Sequence, residues 1–339
     1  MVSFMNNENK LKSNIRDVAK QAGVSPATVS RVFNHAEPMK EETRQKVLAA
    51  AKLLGYSPKE PVADNRSILV MNVPFIGNPF YSDIIKGAKS AATHNNCTLI
   101  ITEETFTLET LPDYLSTLRH INAKGLIVLN YLTPETRDLI NKKLPLVQCC
   151  EFDTNSQVSC VGIDNVHAAE KAVKHLVSLG RTKIAFLNGP SSYKYSEYRL
   201  KGYQKVLREY NLHPNPEWCI NLPDITIDYA YATAIRLLTS NSIPDAIFTA
   251  SDICAAGVIK AAVHKNFQVP EDIMVVGFDN IDISSMTMPS ITTINQPRFQ
   301  LGFVACNILC EKIKNPNAEQ QTVLMETELV IRESTSAIR

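Results

Sequence analysis

The chain has 339 residues, of which 45% are hydrophobic and 20% are charged, and its formal net charge is +1. The sequence has no run of about eighteen apolar residues, so we predict no transmembrane helix and expect no membrane partner. The length favours two or three domains over a single core. The positive charge lies in residues 1–66, with eleven Lys/Arg against seven Asp/Glu, whereas the rest is net negative. A basic N-terminal part on an acidic body is typical of a protein that binds nucleic acid through that part.

Residues 1–13 are polar and lack the apolar run of a signal peptide, so they are predicted to be a disordered lead-in. The eight cysteines form no Cys-x-x-Cys motif, and no histidine stands at zinc-finger spacing. Cys306 and Cys310 share a helix face, but two buried small side chains are a simpler interpretation than a two-ligand metal site. We therefore expect a reducing cytoplasm, no metal and no cofactor.

Residues 14–34 predict two short helices joined by a tight turn. Asn14 can cap the first helix, and Gly23 can end it in a left-handed conformation. Ser25 can cap the second helix, with Pro26 in its first turn. The apolar face comprises Ile15, Val18, Ala19, Ala22, Val29, Val32 and Phe33. The side chains left outside are small or able to form hydrogen bonds, as in a helix that enters a DNA groove.

A third helix is predicted over residues 41–55, beginning at acidic residues and ending at Gly55. Its apolar residues, Val47, Leu48, Ala51 and Leu54, would cover the first two helices. Residues 14–56 thus predict a small all-α helix-turn-helix headpiece. The alternative is a helical hairpin that packs against another part of the protein.

The pattern Val-Ala-x-x-Ala-Gly-Val-Ser-x-Ala-Thr-Val-Ser-Arg-Val-x-Asn, residues 18–34, resembles the DNA-binding headpiece of the Lac/Gal repressor family. That resemblance implies base contacts from Pro26, Ala27 and Arg31. It implies phosphate contacts from Thr28, Ser30, Asn34 and Tyr56. The predicted DNA-binding residues are Asn14, Pro26, Ala27, Thr28, Ser30, Arg31, Asn34, His35 and Tyr56.

Residues 57–67 contain two prolines and several turn-forming residues, which predicts a linker. In the Lac/Gal family this segment carries Ala-Arg-Ser-Leu, and it forms a hinge helix whose leucine wedges into the minor groove. The present chain lacks that motif, and its linker is several residues shorter. Val62 is its one apolar candidate for a wedge. We therefore expect weak hinge ordering and a lower operator specificity.

From Ile68 onward, short β-branched runs alternate with amphipathic stretches, which predicts parallel sheets covered by helices. The predicted strands are Ile68–Val73, Thr98–Thr102, Gly125–Leu129, Leu146–Cys150, Val158–Ile163, Lys183–Leu187, Asp245–Thr249, Ile273–Gly277, Ile291–Ile294 and Val323–Ile331. The predicted helices are Phe80–Thr93, Ala168–Leu179, Tyr198–Tyr210, Tyr229–Thr239, Ala255–Lys265 and Gln300–Ile313. So many strands favour two α/β lobes, which we place at residues 68–162 plus 293–320 and residues 163–292 plus 321–339.

Polar and aromatic residues that follow the predicted strands are candidates for a small-molecule site, because open α/β sheets bind ligands at the carboxyl ends of their strands. Arg199 offers a rigid fork of donors, and Asp279 offers acceptors for hydroxyl groups. The predicted effector-binding residues are Phe80, Tyr81, Asp164, Arg199, Ser251, Asp279 and Gln296. Alternatives remain: Arg199 in a surface ion pair, Asp279 as a helix or turn cap, and the two aromatic residues in the core.

Several segments of this second region resemble the effector-binding core of the same repressor family, which shares its fold with periplasmic sugar-binding proteins. They are Asn78-Pro79-Phe80-Tyr81, Ile163-Asp164-Asn165, Tyr198–Tyr203, Val269–Asp272, Val276–Asp279 and Thr292–Pro297. The resemblance covers residues 14–335. Residues 197–203, 277–282 and 328–335 are similar to nucleoside-responsive repressors of the family, which implies a ribose-containing effector.

These observations predict a DNA-binding transcriptional repressor, bacterial, cytoplasmic and nucleoid-associated, rather than an enzyme. Its predicted partners are double-stranded operator DNA, a small-molecule effector (a pentose, a nucleoside or another sugar) and a second copy of the chain in a homodimer. The effector would shift the population of two states, either as inducer or as corepressor. Alternatives are a ligand-responsive activator, a non-regulatory sugar- or nucleoside-binding protein, and an enzyme, for which no sequence motif was found.

Overall fold

The computed structural model describes residues 13–33, 40–56, 66–153, 155–213 and 215–336. The chain divides into two compact units, residues 1–65 and residues 66–339. Residues 1–12 of the predicted lead-in and residues 57–65 of the predicted hinge lie outside the described residues.

The first unit contains α1 (Ile15–Ala22), α2 (Pro26–Phe33) and α3 (Glu41–Leu53). Asn14 and Asp17 form a capping box at the start of α1, each side chain accepting a hydrogen bond from the other residue's backbone N–H. Gly23 ends that helix with a φ of +68°. The helix-turn-helix predicted from the sequence is therefore confirmed.

The helices of this unit share a small core. Val18, Val29 and Val47, one from each helix, have no solvent exposure. Burying such a side chain contributes about 1.5–3 kcal/mol, so three of them are a large share of the stability of a unit this small. The prediction that Leu48 belongs to the core is wrong: it is 37% exposed, and Ala50 faces the core instead because it lies three residues after Val47.

The first lobe of the second unit is built on a parallel six-stranded sheet. Its strands are β1 (Ser67–Asn72), β2 (Cys97–Thr102), β3 (Ala123–Val128), β4 (Leu146–Cys149), β5 (Ser159–Ile163) and β11 (Thr322–Met325), in the order β11-β5-β4-β3-β1-β2. Its helices are α4 (Phe80–His94), α5 (Leu111–His120), α6 (Pro134–Asn141) and α12 (Arg298–Lys314). The α4 and α12 backbones lie in direct contact at two glycines. A Cβ atom on Gly87 would collide with the carbonyl of Phe299, and one on Gly302 would collide with the carbonyl of Ile84.

The second lobe has a six-stranded sheet of the same kind. Its strands are β6 (Ile184–Asn188), β7 (Cys219–Asn221), β8 (Ala246–Thr249), β9 (Met274–Asp279), β10 (Thr292–Asn295) and β12 (Glu328–Val330), in the order β12-β10-β9-β8-β6-β7. Its helices are α7 (Asn165–Ser178), α8 (Lys194–Glu209), α9 (Ile227–Leu238), α10 (Asp252–His264) and the short α11 (Ile283–Met286). The pairs are parallel except that of β10 with β12. The predicted two-lobed α/β core is thus confirmed.

The chain passes between the lobes three times: after β5, between β10 and α12, and between β11 and β12. Two predicted lobe boundaries need correction. Residues 293–295 belong to the second sheet, because β10 pairs with β9, and residues 322–325 belong to the first sheet, because β11 pairs with β5. The predicted strand Val323–Ile331 is two strands in different sheets, separated at residues 326–327.

Candidate functional site

The outer surface of α2 presents the residues predicted to read DNA bases. Pro26, Ala27 and Arg31 are exposed, whereas Thr28 and Ser30 are half-buried. Ser25 caps the helix: its Oγ accepts a hydrogen bond from the Thr28 N–H at 3.1 Å. This cap fixes the N-terminal turn of α2, so the exposed side chains of that turn project from a rigid backbone.

Of the four other predicted DNA-binding residues, two lie among the described residues. Asn14 Oδ1 accepts the backbone N–H groups of Arg16 and Asp17 at 2.8 and 3.3 Å, so this side chain caps α1. Tyr56 packs edge-to-face on Phe33, with ring centroids 5.9 Å apart, which holds the end of the third helix against α2. Asn34 and His35 lie outside the described residues.

The second unit has a cleft of about 190 Å³ between its two lobes. The lining residues follow or end the strands β1, β4, β5, β6, β7, β8, β9 and β10, so the carboxyl ends of both sheets face one space. This is where open α/β sheets bind small molecules. Of the predicted effector-binding residues, the structure brings Phe80, Tyr81, Arg199, Ser251, Asp279 and Gln296 together in this lining.

Arg199 is the central cation of the cleft and is 5% exposed. Its Nε donates to Asn165 Oδ1 at 2.9 Å, and its Nη1 donates to the Ala250 carbonyl at 2.6 Å. Its guanidinium carbon lies 3.5 Å from the centroid of the Phe278 ring and 4.6 Å from that of Tyr195. Held by hydrogen bonds and two aromatic faces, this group is a preorganised donor, and the alternative of a surface ion pair is wrong.

Asp279 ends β9 with a φ of +103°, a conformation that costs a non-glycine residue about 1–3 kcal/mol. Its Oδ1 accepts from Gln296 Nε2 at 2.7 Å. The carboxyl group is buried, and burial raises its pKa to about 6, although Arg199 and the hydrogen bonds of Gln296 and Ser251 act in the opposite direction. Ser251 also caps α10, since its Oγ accepts the Ile253 N–H at 3.3 Å.

Aromatic side chains form a second part of the lining. Phe80 and Tyr81 meet edge-to-face with centroids 5.1 Å apart at the start of α4. Tyr193 and Tyr195 stack with centroids 5.4 Å apart at the start of α8. All four border the cleft, which supplies flat apolar surface next to the polar groups of Arg199 and Asp279.

The structure does not place Asp164 in the cleft. Its side chain is exposed and accepts the His167 N–H at 3.0 Å, which caps α7. The next residue, Asn165, lines the cleft and binds Arg199. The prediction was therefore wrong by one position. In this strand-to-helix turn the first polar residue, Asp164, serves as the helix N-cap, and the next one, Asn165, faces the cleft.

Sequence reasoning missed Glu151, a buried carboxylate of the cleft. It follows β4 and reaches the second lobe, where it accepts the backbone N–H groups of Lys194 at 2.8 Å and Tyr195 at 3.3 Å. Burial raises its pKa to about 7, opposed by those two hydrogen bonds and by the charge of Arg199. The sequence does contain an indication of this role, because Glu151 directly follows the predicted strand Leu146–Cys150. The other candidate residues of the cleft were chosen by the same criterion.

Two family models match the chain. One is described as bacterial regulatory proteins of the lacI family and matches residues 14–59, and the other is a periplasmic binding protein-like domain that matches residues 173–335. The HTH-type transcriptional repressor CytR of Escherichia coli is 32% identical over 332 residues, which cover 96% of each chain. The chain belongs to the lacI family.

Two further relatives support this family assignment. The HTH-type transcriptional repressor PurR of Photobacterium profundum is 34% identical over 331 residues, covering 94% of this chain and 98% of that one. The crystal structure of the Lac repressor dimer bound to operator and the anti-inducer ONPF has a TM-score of 0.74 at 26% identity and covers 96% of this chain and all of that one. This lacI-family protein is thus a DNA-binding transcriptional regulator, as the sequence predicted, and its relatives are not enzymes.

No helix in the described part of this lacI-family chain combines the length and the apolar character needed to cross a membrane. Within the same ranges, no group of three or more His, Cys, Asp or Glu side chains is arranged to hold a metal ion.

Proposed function

We propose that this protein is a transcriptional repressor that binds an operator as a homodimer and is controlled by a sugar or nucleoside in its interlobe cleft. The observation that supports this most is the convergence of a preorganised guanidinium, a buried carboxylate and aromatic faces in one cleft. Bidentate donors and acceptors next to flat apolar surface suit a ligand with hydroxyl groups and a ring.

The DNA-binding part of the proposal is supported by the exposed face of α2. Pro26, Ala27 and Arg31 would contact bases, and Thr28, Ser30, Asn34 and Tyr56 would contact phosphates. One helix of eight residues reads only a few base pairs, so two copies on a near-palindrome supply useful affinity. The Lac repressor, the structural relative named above, is a dimer bound to its operator.

Control by the effector would be a population shift. A ligand that binds one arrangement of the lobes more tightly favours that arrangement, and it can change DNA affinity only by its difference in affinity for the two states. We further propose that the short linker, residues 57–67, orders weakly on DNA. The corresponding test is a DNA-bound structure, in which a hinge helix with a side chain wedged in the minor groove would contradict this.

The test of the function begins with a thermal-shift screen of the full chain against sugars, nucleosides and sugar phosphates. A ligand at a hundred times its Kd stabilises the native state by about 2.7 kcal/mol. Each binder is then added to the protein on a duplex selected from a random library, and anisotropy follows DNA affinity. A ligand that weakens binding is an inducer, and one that strengthens it is a corepressor. If none of the binders changes DNA affinity, the proposed control is wrong.

A further inference from the structure

The carboxylates of the cleft outnumber its cations. Among the described lining residues, Glu151, Asp224 and Asp279 are acidic, and Arg199 is the one basic residue. Glu151 and Asp279 are 4% and 6% exposed, whereas Asp224 lies exposed at the rim. Because Arg199 already donates to two neutral acceptors and lies on aromatic rings, its charge offsets one of these carboxylates at most.

The neighbouring cations are engaged outside the cleft lining. The ammonium group of Lys194 lies 3.1 Å from Asp153 Oδ1 and 3.4 Å from Glu197 Oε2. The guanidinium of Arg298 lies 3.0 Å from Asp83 Oδ2. Neither residue lines the cleft, and each already faces a carboxylate, although the charge of Lys194 still acts on Glu151 and that of Arg298 on Asp279. The described lining itself holds one cation for three carboxyl groups.

The aromatic lining points to the same ligand chemistry. Phe80, Tyr81, Tyr193 and Tyr195 line the same cleft as the acidic groups. Aromatic faces attract cations within about 6 Å of the ring centroid, and the Arg199 guanidinium already lies on the Tyr195 ring. A cationic group in this cleft therefore gains from rings and carboxylates together. A phosphate group would instead meet like charges, which costs several kcal/mol in an interface.

The titration of the two buried carboxyl groups is consistent with this shortage. Burial raises the pKa of Glu151 to about 7 and that of Asp279 to about 6, even though Arg199 acts to lower both. The protein's own groups therefore compensate these charges incompletely. A bound ammonium ion would complete the compensation.

We infer that the effector is an amino sugar, whose ammonium group pairs with the carboxylates of Glu151 and Asp279 and whose ring packs on the aromatic lining. This inference rests on the proposed function and narrows its ligand class. Neutral sugars would bind the same cleft more weakly, and sugar phosphates would be rejected.

The test is calorimetric titration of the full chain at neutral pH with two matched series: glucose, glucosamine and glucose 6-phosphate, and ribose, 2-amino-2-deoxyribose and ribose 5-phosphate. In at least one series the amino sugar should bind about tenfold or more tighter than its neutral parent, a difference of about 1.4 kcal/mol. The phosphates should not bind. In Glu151→Gln the ratio of the two affinities, amino sugar over neutral parent, should fall below about threefold, a loss of about 0.7 kcal/mol of preference.

Glu197→Gln is the matched control, because Glu197 lies in the first turn of α8, the helix whose first N–H groups bind Glu151, but is exposed and does not line the cleft. It should keep the full preference. Circular dichroism checks the fold of each variant, and Asp279→Asn replaces Glu151→Gln if the latter does not fold.

Three results would overturn the inference: a neutral sugar that binds as tightly as its amino derivative, a sugar phosphate that binds, or amino sugars that fail to bind at millimolar concentration. A neutral sugar or nucleoside that binds and shifts DNA affinity would still support the proposed function. The two proposals therefore fail separately.

Discussion

The face of α2 and the interlobe cleft expose their predicted binding side chains to very different degrees. Arg31 on α2 is exposed, whereas Arg199 in the cleft is 5% exposed and bound by Asn165 and Ala250. An exposed cation keeps its hydration and acts through screened attraction, so its loss removes one modest contribution. A buried cation is part of a fixed network, so its loss leaves other groups unpaired. Single substitutions should therefore harm the cleft more than the helix face.

The largest effect is expected for Arg199→Ala. It removes the donors to Asn165 and Ala250 and leaves Asp279 buried without its cation, so effector affinity should fall by about 2–5 kcal/mol. Calorimetry with the effector identified by the screen measures this loss. In the absence of effector, anisotropy should show that the variant binds the operator as tightly as the wild type. Arg199→Lys, which keeps the charge without the fork, should recover only part of the loss. Full recovery by lysine would mean that charge alone matters in the cleft.

Next in size is the pH dependence caused by Glu151. Its pKa is raised from 4.5 to about 7, so the native state holds this proton more tightly than the unfolded state. Stability from this group is therefore present below about pH 4.5 and is lost as pH rises to about 7, by about 3 kcal/mol in all. Chemical denaturation of the wild type and of Glu151→Gln at several pH values measures the difference. A difference that stays constant over this window would show that Glu151 titrates normally.

A smaller effect is expected for Arg31→Ala. If Arg31 contacts a base, its loss should weaken operator binding by about 1–3 kcal/mol and relax specificity at that position. Anisotropy on the selected duplex and its single-base variants measures both changes. Effector binding should stay the same. Simultaneous loss of effector affinity would contradict the independence of the helix face and the cleft.

The smallest effect is expected for Asn14→Ala, which removes the cap of α1. The first unit should lose about 1 kcal/mol of stability, within the range of about 0.5–2 kcal/mol measured for such caps. Hydrogen exchange of the α1 amides detects this locally, and Asn14→Ser should restore protection because serine is also a good cap. Equal loss of protection in the second unit would show that the two units unfold together.

The helix-turn-helix was accessible to sequence analysis because its determinants are local. Asn14, Gly23 and Ser25 act within four residues of their partners, so their spacing predicts the helix ends. The cleft was accessible only in part. Arg199 and Asp279 stand in recognisable segments, but Glu151 meets α8 across 43 residues of chain, a contact that no local pattern reveals. The exchange of β10 and β11 between lobes was missed for the same reason, since strand pairing depends on distant partners.

The contact of Gly87 with Phe299, and of Gly302 with Ile84, also bears on the order in which the protein can assemble during synthesis. The helices that meet there are more than two hundred residues apart, and β11 is made later still. Domains generally fold as they emerge from the ribosome, N-terminal part first. The compact helical unit can thus form early, whereas the first lobe must wait for almost the whole second lobe. A nascent chain would therefore contain a folded helix-turn-helix unit before its interlobe cleft existed to bind the proposed effector.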